Sequence, residues 1–197
     1  MDISTEEKIL QAAEDVFLRE GYDGARMQQI ADRAGINKAL LHYYFRSKDK
    51  LFQTIFEQKF RTFFPKIEGL IQLDLPFLEK VFRFVDAYLK ILSENPYVPH
   101  FIIHGIHKPE GKAFLKQIPP TLAFGFIQGY HAAHAKGEVR EVQPVQLLVS
   151  VMSMCIFPFL AKPIIREVTS MDEDTFQAFI GARADEVKRY LERILLP

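Results

Sequence analysis

Hydrophobic residues at the start of the chain recur every three or four positions, a spacing that predicts an amphipathic helix. Ile9, Ala13 and Phe17 fall on one face of it. Ser4 followed by Glu7 has the spacing of a capping box, and Gly21 interrupts the periodic run. We therefore expect the first helix to begin just after Ser4 and to stop at Gly21.

Two short helices are predicted next, with only a glycine-containing turn between them. The first covers about residues 26–34, and the second begins at Asn37, a favoured N-cap residue, and runs to about residue 44. Ala34-Gly35-Ile36 forms the connection. This arrangement is the helix-turn-helix pattern, in which the second helix lies in the major groove of DNA. Ser47 is predicted to cap a fourth helix that continues through Leu51, Ile55 and Phe56.

The rest of the chain also has helical periodicity, and no segment alternates as a strand does. The remaining predicted helices cover residues 65–73, 76–93, 98–107, 110–117, 120–136, 144–166 and 172–195. Residues 142–161 have the length of a membrane span, but their glutamines, serines and prolines favour a buried helix. The N-terminus lacks a secretory signal pattern, and Cys155 is the single cysteine. We expect an all-α cytoplasmic protein with no membrane partner.

The charge of the chain changes this picture only when it is counted by segment. Its 25 basic and 25 acidic side chains give zero net charge, which by itself argues against nucleic acid. Residues 1–25, however, hold two basic and seven acidic side chains, whereas residues 26–61 hold eight basic and three acidic ones. A basic patch therefore coincides with the helix-turn-helix segment, which orients the chain towards DNA.

Five short motifs in residues 6–56 resemble the TetR family of bacterial transcription regulators. They are Ile9-Leu10-x-Ala12-Ala13 with Phe17, Gly21-Tyr22, Ile30-Ala31 with Ala34-Gly35-Ile36, Leu41-x-Tyr43-Tyr44-Phe45, and Ser47-Lys48-x-x-Leu51. The resemblance implies a three-helix DNA-binding domain, residues 1–50, joined by a connecting helix to a helical effector-binding and dimerisation domain, residues 51–197. It implies a repressor that leaves its operator when a small hydrophobic or aromatic effector binds.

The candidate DNA-binding residues combine base readers with phosphate ligands. Asn37 suits adenine, Lys38 suits guanine, and the methyl group of Ala39 suits thymine. The full candidate set is Arg26, Gln28, Asn37, Lys38, Ala39, His42, Tyr43, Tyr44 and Lys48. Lys48 is expected to bind a phosphate beside the N-terminus of the fourth helix. Which of Tyr43 and Tyr44 packs rather than contacts DNA stays open, and Ala25-Arg26 replaces the family's usual Ser or Thr cap.

The resemblance implies a homodimer, and two apolar stripes near the C-terminus are consistent with its interface. Their members are Val145, Leu148, Val149, Phe176, Ile180, Val187, Leu191 and Ile194. The alternative is that these stripes pack on the core of their own chain. An apolar effector pocket, implied by the resemblance alone, would involve Phe82, Phe101, His104, Phe124, Tyr130 and Met152.

Five histidines leave an alternative function open. His100, His104 and His107 share one predicted helical face, and His131 and His134 share another. Helical histidines at such spacing can bind zinc or nickel, so a metal-responsive regulator and a helical metal-dependent enzyme are the alternatives. No cysteine or carboxylate joins them in register, and no catalytic constellation is present in the sequence. We expect a regulator that is not an enzyme and needs no cofactor or metal.

Overall fold

The computed structural model describes residues 4–96, 99 and 119–197, and these residues form ten helices and no strand. The helices are α1 (Thr5–Gly24), α2 (Met27–Ala34), α3 (Lys38–Tyr44), α4 (Lys48–Gln72), α5 (Phe77–Glu94), α6 (Pro120–Ala135), α7 (Pro144–Leu160), α8 (Lys162–Thr169), α9 (Glu173–Gly181) and α10 (Arg183–Leu195). The all-α prediction is confirmed. The predicted helices 98–107 and 110–117 lie outside the described residues, apart from Pro99.

The predicted start signals of the first helices are confirmed. The Ser4 hydroxyl accepts from the Glu7 amide at 3.2 Å, and the Glu7 carboxylate accepts from the Ser4 amide at 3.0 Å. Ser47 accepts from the Lys50 amide at 3.1 Å at the start of α4. Gly21 interrupts α1 with a φ of 69°, a left-handed conformation that favours glycine, and one more turn of helix follows it. Local sequence therefore sets where these helices begin.

Two separate hydrophobic cores organise the described residues. We call the first the head core; its buried members are Ile9, Leu10, Ala13, Val16, Phe17, Ala25, Ile30, Ala31, Leu41, Phe45, Leu51, Phe52 and Ile55. The second, the body core, is built from α5, α6, α7, α9 and α10. Helix α4 belongs to both, because Leu51, Phe52 and Ile55 enter the head core and Leu70 packs against the body core.

Helix α4 is longer than the sequence predicts. The prediction ended a fourth helix near Phe56 and began another at Pro65, but α4 runs unbroken through Pro65 to Gln72. A proline inside a helix loses one backbone hydrogen bond. Packing of α4 against α5 and α6 compensates for that loss. The separation predicted at residues 57–64 is wrong, and one helix links the two cores.

Two long predicted helices are each divided in the structure. The prediction of one helix over residues 144–166 is wrong, because α7 and α8 meet at Ala161 with a bend of 73°. Pro163 suits the first turn of a new helix, where its missing amide hydrogen is not needed. The predicted helix over residues 172–195 is divided at Ala182 into α9 and α10.

The apolar stretch around α7 does not form a single membrane-spanning helix among the described residues. Among the described helices, none is by itself long and apolar enough to cross a bilayer. Helices α7 and α8 satisfy the length and composition criteria only as a bent pair.

Candidate nucleic-acid interface

Helix α3 buries one side and exposes the other. Leu41 is its fully buried residue, and Phe45, which directly follows the helix, is buried in the same head core. Lys38, Ala39 and His42 lie on the exposed side. Because Lys38 and His42 are four residues apart, they are neighbours on the helix surface. The structure thus brings three of the predicted DNA-binding residues onto one exposed face.

The turn between α2 and α3 determines how α3 is presented. Gly35 has a φ of 68°, and its amide donates to the Asp32 carbonyl at 3.2 Å. The Ile36 amide donates to the Ala31 carbonyl at 3.0 Å. These bonds satisfy the last carbonyls of α2 in a glycine-dependent C-cap. These bonds therefore fix the turn through which α3 follows α2.

Asn37 has a structural task that competes with base reading. Its Oδ1 atom accepts from the Leu40 amide at 2.8 Å, which caps α3 as predicted. Bidentate recognition of adenine uses both the oxygen and the nitrogen of an asparagine amide. With Oδ1 engaged in the cap, only Nδ2 can donate outwards. Lys38 is therefore the stronger candidate for base recognition at the start of α3.

The two consecutive tyrosines differ in exposure. Tyr43 is 81% exposed and Tyr44 is 40% exposed, and their rings meet edge to face at 5.5 Å. Tyr44 is the more covered of the two, and Tyr43 presents almost its whole side chain to solvent. The exposure therefore favours Tyr43 as the phosphate contact.

The start of α2 is capped by a residue that the sequence analysis did not single out. The side-chain oxygen Oε1 of Gln29 accepts from the Arg26 backbone amide at 2.8 Å. A glutamine three residues after the N-cap was the available signal. Arg26 and Gln28 are exposed, and Gln28 donates to the Asp32 carboxylate at 2.8 Å. Both candidates can therefore reach a ligand placed beside α2, although Gln28 would first exchange that bond.

Lys48 is the candidate whose position differs most from the prediction. Its ammonium donates to the carbonyl oxygens of Tyr22 at 2.7 Å and Ala25 at 3.0 Å, with that of Asp23 at 3.4 Å. It also lies 4.5 Å from the centre of the Tyr22 ring. The ammonium therefore faces the end of α1, and this geometry argues against the predicted phosphate contact.

The basic residues of the segment 26–61 divide into two groups. Lys48 binds the end of α1, and Arg33 forms an ion pair with Asp15 at 2.8 Å that joins α2 to α1. Arg46 and Lys50, by contrast, are exposed near α3 and at the start of α4. The sequence analysis counted these two in the basic patch but did not name them as contacts. They extend the exposed positive surface beyond Lys38.

The predicted dimer residues separate into exposed and buried positions. Val145, Val149 and Ile194 are exposed, with Val149 at 53%, and Leu148 is half-buried. The other four are buried in the body core of their own chain: Phe176, Ile180, Val187 and Leu191. An apolar stripe in a sequence predicts that one helix face is covered, but it does not predict whether the same chain or a partner covers it. For these four residues the alternative, packing on their own core, is what the structure shows.

The predicted pocket residues occupy different environments. Phe82 is half-buried against the body core, while Phe124 and Met152 are exposed. Tyr130 is buried, and its hydroxyl donates to the Arg140 carbonyl at 3.3 Å and accepts from the Val142 amide at 2.7 Å. Tyr130 thus holds the loop between α6 and α7. Phe101 and His104 lie outside the described residues.

Of the five candidate metal-binding histidines, the structure describes His131 and His134. His100, His104 and His107 lie outside the described residues. His134 stacks on Tyr130, and its Nδ1 atom lies 3.1 Å from the Val139 carbonyl. His131 contacts the same Tyr130 ring edge to face. Within the described part of the chain, no group of three or more potential metal ligands comes together.

Comparison with known proteins points to one family. Residues 9–55 match the sequence model described as bacterial regulatory proteins, tetR family. The chain is 38% identical over 85 residues to the HTH-type transcriptional repressor NicS of Pseudomonas putida, a match covering 43% of this chain and 40% of NicS. It is 25% identical over 199 residues to the HTH-type transcriptional regulator YfiR of Bacillus subtilis, covering 95% of this chain and 90% of YfiR.

A solved structure extends the likeness in fold to nearly the whole chain. The crystal structure of a TetR/AcrR-family transcriptional regulator from Thermobifida fusca superposes with a TM-score of 0.67 at 16% identity. The superposition covers 93% of this chain and 96% of that one. The family model therefore covers the head, whereas the likeness in fold covers nearly the whole chain.

Proposed function

Because the chain belongs to the TetR family of bacterial transcriptional regulators, we propose that it represses transcription by binding operator DNA as a homodimer. The head, built on α1 to α3, binds the DNA, and the body dimerises and binds the effector. The predicted domain boundary at residue 50 falls before Leu51, Phe52 and Ile55, although these three residues pack into the head core.

The observation that carries this proposal is the exposed face of α3. Lys38, Ala39 and His42 are exposed on a helix whose other side is anchored by Leu41. A short helix presented in this way fits the major groove, and the side chains at its start reach base edges. Arg26, Tyr43, Arg46 and Lys50 are also exposed, on α3 or close to it in sequence, and are the phosphate contacts of this proposal.

We expect a homodimer because α3, the helix that would contact the bases, is short. Helix α3 has seven residues, which contact only a few base pairs. Regulators of this kind combine two half-sites about 34–36 Å apart. The apolar side chains left exposed on α7 and α10 suit the interface: Val145, Val149, Met152 and Ile194. These two helices pack against each other within the chain, so both can contribute to one surface.

Release from the operator would require an effector that binds the body in one of two states. Helix α4 reaches from the head core to the body core, so a change in the body can displace the head. The effector can lower DNA affinity only by as much as it prefers the state that binds DNA poorly. A small hydrophobic or aromatic molecule is the class that the sequence analysis proposes.

Selection from random duplex DNA tests the DNA-binding function. We expect enrichment of a motif made of two inverted half-sites with about one helical turn between their centres. Substituting Lys38→Ala should relax the preference at one base-pair position of each half-site, whereas Gln146→Ala on α7 serves as a control far from the head. Enrichment of no sequence, or of a site without two-fold symmetry, would contradict the proposal.

Sedimentation of paired variants tests the dimer surface. Val149→Asp places a carboxylate in the centre of the proposed interface, and we expect the dimer dissociation constant to rise at least tenfold, about 1.4 kcal/mol or more. Gln146→Asp, an exposed polar position on the same helix, is the matched control and should leave the constant nearly unchanged. A dimer that tolerates Val149→Asp would require a different interface.

A further inference from the structure

The C-terminal end of α1 lacks a cation of its own. The last turn of α1 contains no basic residue, and its final carbonyl groups have no partners within the helix. These carbonyls lie in the single turn that follows the break at Gly21, and a positive charge beside such unpaired helix-end carbonyl oxygens is stabilising. Lys48 supplies that charge from another helix, through its contacts with the carbonyl oxygens of Tyr22 and Ala25.

The Lys48 side chain begins at the N-terminus of α4 and points towards α1. Lys48 is the first residue of α4, where the positive end of that helix's own dipole disfavours a cation. Its ammonium is turned towards the oppositely charged end of α1 and over the Tyr22 ring. The contact therefore relieves an unfavourable charge on α4 and satisfies α1 at the same time.

A second contact links the same two helices beside the first. The Tyr22 hydroxyl donates to the carboxylate of Asp49, the residue that follows Lys48. Burial, followed by the hydrogen bond and charge of Asp49, raises the pKa of Tyr22 above its ordinary value, so the hydroxyl keeps its proton. The Tyr22 ring also meets Phe52 of α4 at 5.3 Å and Phe17 of α1 at 5.9 Å.

We propose that Lys48, Tyr22 and Asp49 form a clamp that fixes the head to the start of α4, and that Lys48 is a positioning residue rather than a phosphate ligand. The Arg33–Asp15 ion pair joins α2 to α1, and the Gly35 turn joins α3 to α2. A movement of α4 is thereby passed through α1 and α2 to the exposed face of α3. The clamp deepens the proposed function, because it specifies how the body would control the orientation of the reading helix.

The first experiment measures DNA binding by Lys48→Met, which keeps the length of the side chain and removes its charge. A lysine that neutralises a phosphate contributes about 0.9 to the slope of log affinity against log salt. We expect Lys48→Met to change the slope on random-sequence duplex DNA by less than half of that value. Affinity for the selected operator should fall about tenfold, comparable to the loss of one hydrogen bond to a charged group.

Two further variants separate the clamp from a phosphate contact. Tyr22→Phe and Asp49→Asn remove no positive charge, so a phosphate contact cannot explain a loss of operator affinity in either. We expect both to lower operator affinity with no change in the salt slope, and to be less than additive with Lys48→Met. Lys50→Met, on the same helix, is the contrasting variant: Lys50 lies outside the clamp and is a proposed phosphate contact, so its loss should lower the salt slope by about 0.9 on both operator and random DNA. A full loss of about 0.9 in slope for Lys48→Met, equal on operator and random DNA, would overturn the proposal.

Hydrogen exchange decides the same question without DNA. We expect Lys48→Met and Tyr22→Phe to accelerate exchange at least severalfold in the peptide covering residues 20–28, while the peptides of α9 and α10 keep the rates of the unmodified protein. Lys50→Met should leave all of these peptides unchanged. Unaltered exchange in residues 20–28 of both clamp variants would overturn the clamp even if the protein binds DNA as proposed. If no operator can be selected, this measurement still tests the clamp.

Discussion

The helix ends of the head and of the body are set by different interactions. In the head, N-cap side chains cap α1, α3 and α4, and the Gln29 side chain accepts from the N-cap amide of α2; all of these residues lie within three residues of a helix start. In the body, Gln143 and Asp172 cap α7 and α9 in the same way, but no side chain caps α5, α6, α8 or α10 at its start. The head is thus defined by local sequence, whereas the ends of most body helices depend on packing between distant segments.

The two cores also use aromatic residues differently. Phe17, Tyr22 and Phe52 form a cluster in the head, with Phe17 and Phe52 meeting edge to face at 5.0 Å. In the body, Tyr130 lies in the core, and its hydroxyl holds the loop that leads into α7. The head cluster joins two helices, while the body tyrosine also organises a connection. Loss of a head aromatic should therefore affect the junction of α1 and α4 first.

Paired truncations in the two cores should give the largest effects. Phe52→Ala removes a fully buried ring from the head core, and we expect it to lower the free energy of unfolding by about 3–5 kcal/mol. Leu191→Ala makes the corresponding change in the body core, with an expected cost of about 2–5 kcal/mol. Urea unfolding followed by circular dichroism measures both.

The same pair of variants tests whether the two cores are independent. We expect Phe52→Ala to abolish DNA binding while sedimentation still shows a dimer, because the exposed face of α7 is unchanged. Leu191→Ala should weaken the dimer and the DNA complex together. If Phe52→Ala also dissociated the dimer, the head and the body would have to be described as one cooperative unit.

Cap substitutions should give an intermediate effect confined to the head. Asn37→Ala removes the side-chain bond to the Leu40 amide, and we expect a loss of about 0.5–2 kcal/mol in stability. Asn37→Ser keeps a capping oxygen and should retain most of that stability. The contrast also separates capping from base reading in binding to the selected operator. Equal DNA affinity for the serine variant and the unmodified protein would assign Asn37 to the cap alone.

The rate at which a thiol reagent modifies Cys155 reports on the body, and we expect it to change less than the stabilities and affinities above. Burial raises the pKa of the Cys155 thiol to about 12, so the thiol stays neutral and unreactive in the folded chain at neutral pH. We expect a thiol reagent to modify it only when the body unfolds. Phe52→Ala should leave the rate of modification unchanged, whereas Leu191→Ala should increase it. Rapid modification of the unaltered native protein would contradict the burial of this residue.

The sequence predicted the head more completely than the body for a physical reason. Ser4, Gly21, Gly35, Asn37 and Ser47 act within one helical turn, so their consequences can be predicted without knowledge of the tertiary structure. The breaks at Ala161 and Ala182, and the passage of α4 through Pro65, depend on what packs against each helix. Helical periodicity continues across Ala161 and Ala182, so the pattern could not place those two boundaries, and at Pro65 it predicted a helix start that the structure does not have.

The candidate site shows the same division. The sequence predicted Lys38, Ala39 and His42 as DNA-binding candidates on α3, and the structure shows that all three are exposed on it. It could not predict that Asn37 Oδ1 would be occupied by the cap of α3, or that the ammonium of Lys48 would turn to the end of α1. Phe176 and Leu191 had the same spacing as an interface stripe, but they are buried within their own chain.

The sequence by itself determined the helical class, the helix-turn-helix and the concentration of basic residues between positions 26 and 61. These properties depend on periodicity, caps and charge counts, all of which are local. Only the tertiary structure decided which apolar stripes remain exposed and which partner each charged group contacts. Burial and pairing depend on segments that are distant in sequence. Lys48 is an example, because it belongs to the start of α4 and its ammonium donates to the carbonyl oxygens of Tyr22 and Ala25 at the end of α1.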